Sequence, residues 1–142
     1  MFNPTQQEVR RFFCSVRTKQ REGTLLTPLE DLAGGWIAEH PEYHAALDDA
    51  QTSLERAFDG ADGAGNPFLH LSMHLAISEQ LSIDQPPGIC AHFQMLANRL
   101  GSEHAAAHAV MECLGEVLWQ AERSGRPPDG VAYLDCLARR AR

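Results

Sequence analysis

Three times along this chain a side chain able to cap a helix stands directly before a proline: Asn3-Pro4, Thr27-Pro28 and Asn66-Pro67. Asparagine and threonine accept hydrogen bonds from the free N–H groups of a first helical turn. Proline suits the first helical position because its missing N–H would have no intrahelical partner there. Thr27-Pro28-Leu29-Glu30 adds the glutamate of a capping box. The stops are equally plain. Gly23, Gly101 and Gly125 follow apolar periodic stretches, where a left-handed residue closes a helix.

Between these marks the apolar spacing is helical throughout, with no alternation of the strand type. A first helix runs to about residue 20 on Val9, Phe12, Phe13 and Val16, and a second follows through Leu29, Leu32, Trp36 and Ile37. Within the second, Gly34-Gly35 would admit a closely packed neighbour. His40-Pro41 breaks that helix, because proline biases the preceding residue away from the α region, and a short helix restarts at Pro41. The glycine- and aspartate-rich stretch from Phe58 to Gly65 reads as a connector. A third main helix runs from Pro67 to about Ile83, apolar on nearly all sides and therefore central. The turn Asp84 to Gly88 leads to a fourth helix, Ile89 to Leu100. A fifth begins after Ser102 and ends near Ser124. The sixth carries Val131, Leu134 and Leu137. Trp36, Trp119, Met73, Met95 and Met111 read as core packing. The expectation is an all-α, single-domain helical bundle of about five to six helices spanning residues 1–142.

Composition narrows the function classes. Hydrophobic residues at 44% and charged residues at 22% are ordinary for a globular chain, and the net charge of −7 argues against nucleic acid as a partner. The basic groups Arg10, Arg11, Arg17, Lys19 and Arg21, with Arg139, Arg140 and Arg142, read as solvated helix faces. No apolar stretch approaches the roughly 20 residues that cross a bilayer, so a membrane is not expected as a partner. Cys14, Cys90, Cys113 and Cys136 stand singly, without a C-x-x-C pair. No disulfide framework is expected, and the cytoplasm is the expected compartment. The apolar helix faces admit a homodimer.

Histidine carries the chemical signal. Six of the seven fall in i, i+4 pairs: His40 and His44, His70 and His74, His104 and His108. On a helix, four residues return to within about 40° of the same face. His108 also pairs in this way with Glu112, and Glu116 continues the ladder. Neutral imidazole is a common ligand for transition metals, and ligands from facing helices build metal sites in helical cores. The expected ligands are His70, His74, His108 and Glu112, for zinc or iron. His104, Glu116, His40 and His44 form a second tier of further ligands or supporting groups. A site with an open position could activate water or oxygen, with Glu116 or a spare histidine carrying protons. The bland reading is a buried histidine hydrogen-bond network in a non-catalytic interaction or regulatory protein.

The phrases MFNPTQQEVRRFF, NPFLHLSMHLAISEQLSIDQPPGI and HAVMECLGEVLWQAERSGRPPD resemble a family of short, uncharacterised proteobacterial proteins classed as a domain of unknown function. The resemblance covers almost the whole chain and implies a single-domain bacterial protein, with no activity to carry over. A looser similarity is to hemerythrin-like, histidine-rich helical metal proteins, which also combine H-x-x-x-H and H-x-x-x-E helices. Here the order of the two helices is reversed, and a proline follows His40.

Overall fold

The computed structural model describes residues 5–55 and 66–142. Eight α-helices lie among them: α1 (Gln6–Glu22), α2 (Pro28–Ala38), α3 (His44–Asp48), α4 (Ala50–Glu55), α5 (Pro67–Ile83), α6 (Ile89–Leu100), α7 (Glu103–Ser124) and α8 (Gly130–Arg140). No strand occurs among the described residues. The all-α class holds, but five to six helices is an undercount. The excess arises after α2. A 3-10 turn, Pro41–Tyr43, precedes α3, and Asp49 leaves helical geometry at φ −111°, ψ 73°, which separates α3 from α4.

Contacts gather into two compact units, Met1–Leu75 and Ala76–Arg142. In the first, helix ends follow the local chemistry. The Asn3-Pro4 signal and the Phe58 to Gly65 connector lie outside the described residues. Thr5 caps α1, its hydroxyl accepting from the Glu8 N–H, and Gly23 closes it at φ 71°. The capping box of α2 is complete: Thr27 Oγ1 accepts from the Glu30 N–H at 3.2 Å, and Glu30 Oε1 accepts from the Thr27 N–H at 2.9 Å. Gly34 does admit a neighbour. Gln20 Nε2 donates to the Gly34 carbonyl at 3.0 Å, and a Cβ there would stand 2.6 Å from that nitrogen. Gly35 has nothing within 4 Å.

The core of this unit is Phe13, Cys14, Val16, Ala33, Ile37, Leu47, Phe68 and Leu71, with Trp36, Tyr43 and Leu75 at its edge. Four of the five residues in the first basic group are not simply solvated. Arg10 is buried and donates to the Ser53 carbonyl at 3.0 Å. Arg17 and Arg21 share Asp48, at 2.9 Å and 3.4 Å, and Lys19 Nζ lies 2.6 Å from Glu30 Oε2. The bond from Lys19, then that from the Thr27 N–H, holds the Glu30 carboxyl below the usual range. Sequence shows that a helix face is basic but not which acids or carbonyls other elements bring to it.

In the second unit, Ile77, Ile89, Leu96, Val110, Cys113, Val117 and Leu137 are buried. Three expectations are corrected. On α8 the inner face is Tyr133, Cys136 and Leu137, while Val131 is 70% exposed. Tyr133 donates to Gln80 Oε1 at 2.8 Å, and burial pushes its phenol up. Met95 and Trp119 are also exposed rather than core, although Met111 is buried. Arg123 covers the Trp119 ring at 4.6 Å. Finally, Cys113 and Cys136 form a disulfide between α7 and α8. The lack of close Cys pairs along the chain hid a pairing that depends on packing two helices. Cys14 and Cys90 are free, the first buried as expected.

The turn after α5 is held by one carboxylate. Asp84 sits at φ 51°, a left-handed conformation that aspartate tolerates. Its carboxylate accepts from the Cys90 N–H at 3.0 Å and the Gly88 N–H at 3.2 Å. These bonds, that to Cys90 first, hold its carboxyl below the usual range. A group shifted down stabilises the fold above its ordinary value, and that contribution is lost as pH falls through the shifted one. Asp84→Asn keeps the backbone preference and removes the charge. Between about pH 5 and pH 2 its melting temperature is expected to fall less than that of the native chain. Thermal melts across that range check this; equal slopes would contradict it.

Candidate metal centre

His70 and His74 lie one turn apart on α5, with ring centroids 4.8 Å apart and Nε2 atoms 3.2 Å apart. The third member is His40, which leaves helical geometry between α2 and the 3-10 turn at φ −125°, ψ 64°. Pro41 forces that exit. The ring then turns back, and its Nδ1 lies 2.7 Å from the Trp36 carbonyl oxygen. A carbonyl only accepts, so Nδ1 carries the hydrogen, and in the neutral ring Nε2 is then the acceptor. That Nε2 lies 3.2 Å from His70 Nε2.

Three imidazoles thus converge through the same ring atom. The spacing is informative. Metal–nitrogen bonds of about 2.0–2.1 Å at a tetrahedral angle separate neighbouring nitrogens by about 3.3–3.4 Å. Both Nε2 pairs, at 3.2 Å, are close to that edge. A proton between two of these nitrogens bridges one pair only, whereas a cation can be approached by all three.

Aromatic rings wall the cluster. Trp36 stacks on His74 at 3.9 Å between centroids, 16° from parallel. Tyr43 lies almost parallel to His40 at 5.4 Å and edge-on to His70 at 5.7 Å. Burial, then the charge of Glu42, pushes the Tyr43 phenol up. His74 is 0% and His40 2% exposed, while His70 is half-buried. The clustered donors are imidazole nitrogens, a donor type that zinc and iron both accept.

The remaining expected residues are placed as follows. His44 is bonded elsewhere, its Nε2 2.8 Å from the Ile37 carbonyl oxygen. In the second unit, His108 is half-buried on α7, edge-on to His104 at 4.5 Å. Glu112 is 63% exposed and ion-paired, Oε2 to Arg140 Nη1, at 2.6 Å. Its carboxylate therefore already has a cation. Glu116 is exposed and lines an open cavity of about 660 Å³ beside Arg126, Asp129, Asp135, Cys136 and Arg139. His92 Nδ1 is buried with no hydrogen-bond partner among the described residues. His40 moves from the second tier to the centre. The break before Pro41 brings the His40 ring to the cluster.

No helix among the described residues is long and apolar enough to cross a membrane. No curated protein and no solved structure matches this chain. One family model does match, and it spans residues 5–139, nearly the full length, including all three histidines of the cluster. The chain therefore belongs to the family described as Domain of unknown function (DUF1841).

Proposed function

We propose that this protein binds a transition-metal ion, zinc or iron, through Nε2 of His40, His70 and His74. The observation that carries the reading is the pair of 3.2 Å Nε2 separations around His70, with the His40 lone pair aimed inward by the Trp36 carbonyl. Zinc is the first choice, since borderline-soft nitrogen donors suit it and no anionic ligand from the cluster favours iron. The buried rings of His40 and His74 favour a metal that holds elements together over one that turns over substrate. A second reading, a histidine hydrogen-bond network in an interaction protein, is favoured by the same short Nε2 pairs if a proton occupies one of them.

Elemental analysis of the untagged protein separates the two. About one zinc or iron per chain, lost in His40→Ala and in His74→Ala, supports the metal. Metal-free native protein after growth and purification without chelator, and no uptake on adding zinc, leaves the network. His108 and Glu112, proposed as ligands on sequence grounds alone, enter as His108→Ala and Glu112→Ala. Loss of metal in the first would add a fourth nitrogen, and loss in the second would restore the carboxylate to the set.

A further inference from the structure

Trp36 touches the cluster in two different ways. Its backbone carbonyl receives the hydrogen of His40 Nδ1 at 2.7 Å, which selects the tautomer with Nε2 available. Its indole lies flat on the His74 imidazole at 3.9 Å and 16°. One residue therefore sets the proton of one ligand and the plane of another. Both actions have a common origin. Trp36 lies on α2 one turn before His40, so the break at Pro41 brings the His40 ring back over the Trp36 carbonyl while the indole projects from the same turn.

We propose that Trp36 is the positioning residue of the metal centre, holding His74 face-to-face so that its Nε2 meets those of His40 and His70 without searching. This rests on the metal reading above. An imidazole free to rotate about its side-chain bonds must be ordered when the metal binds, and that ordering weakens binding. Partners that orient metal-bound histidines in this way typically change affinity by about 10- to 100-fold. A flat aromatic face is what the role requires, rather than the indole N–H.

The test uses the full chain, with zinc and with cobalt(II) as the probe metals. Trp36→Leu keeps the backbone carbonyl and removes the stack; Trp36→Phe restores a flat face. The leucine variant is expected to bind zinc about 10- to 100-fold more weakly, with the phenylalanine variant recovering most of the loss. Native-like affinity in Trp36→Leu overturns the proposal, as does an equal loss in both variants. A second measurement does not depend on how the variants fold. In a Trp119→Phe background Trp36 is the single tryptophan, and cobalt(II) binding is expected to quench its emission in proportion to occupancy. Stoichiometric cobalt binding without quenching overturns the placement. A native chain that takes up neither metal sinks the metal reading itself, an outcome distinct from all of these.

Discussion

Zinc at a hundred times its dissociation constant is expected to raise the unfolding free energy of this protein by about 2.7 kcal/mol, and at a thousand times by about 4.1 kcal/mol. The reason is linkage. The folded chain presents three nitrogens within 4.8 Å of one another, whereas the unfolded chain scatters them along its length and binds the ion far more weakly. On the proposed site the increment belongs to His40, His70 and His74, so His74→Ala is expected to remove it. His44→Ala is the informative control. That histidine is bonded to the Ile37 carbonyl, so its loss is expected to alter the zinc-free stability and leave the zinc-dependent increment in place. Urea denaturation in zinc and in chelator measures both. An increment that survives His74→Ala would place the ion elsewhere and refute the centre described here.

Reduction of the Cys113–Cys136 disulfide is expected to destabilise the protein by about 3 kcal/mol, on the chain-entropy estimate for a loop of this size. The bridge spans 23 residues and joins α7 to α8. It restricts the unfolded ensemble because the linker and most of α8 can no longer separate from α7. Both sulfurs are buried, Cys113 wholly and Cys136 at 6% exposure. The double variant Cys113→Ala/Cys136→Ala is expected to show a lower urea midpoint, and addition of a dithiol reductant is expected to move the native midpoint but not that of the variant. Equal responses of the two proteins to reductant would show that the bridge contributes nothing. The same experiment with thiol counting identifies the pair, since Cys14 and Cys90 remain titratable in both proteins.

Much of the fold was legible because helix ends are decided within a few residues. Thr27 and Glu30 form their box, Asn66 Oδ1 accepts from the Phe68 and Leu69 N–H groups at 3.1 Å, and α5 ends at Ile83 as its apolar run predicts. Gly101 and Gly125 stop α6 and α7 in the left-handed conformation. The chain between Pro41 and Glu55 was harder. Its two short helices are too brief for a period to declare itself, and the break at Asp49 carries no proline or glycine to announce it. The face of α8 was misread for a related reason. Val131 and Leu134 fit an apolar stripe, but Tyr133 buries more ring and finds Gln80 for its hydroxyl.

The candidate site divides in the same way. His70 and His74 follow from i, i+4 spacing on a helix, which any four-residue step supplies. That His40 joins them while His44 does not could not be read from their matching spacing. It depends on where a proline-broken backbone sends one ring and which carbonyl the other meets. Local chemistry thus wrote the helix boundaries, the all-α class and two of the clustered histidines, because caps, prolines and helical period act over one or two turns. Packing across distant segments settled the third clustered histidine, the Cys113–Cys136 pairing and the partner of Glu112, because each is a meeting of side chains whose separation along the chain says nothing about their separation in space.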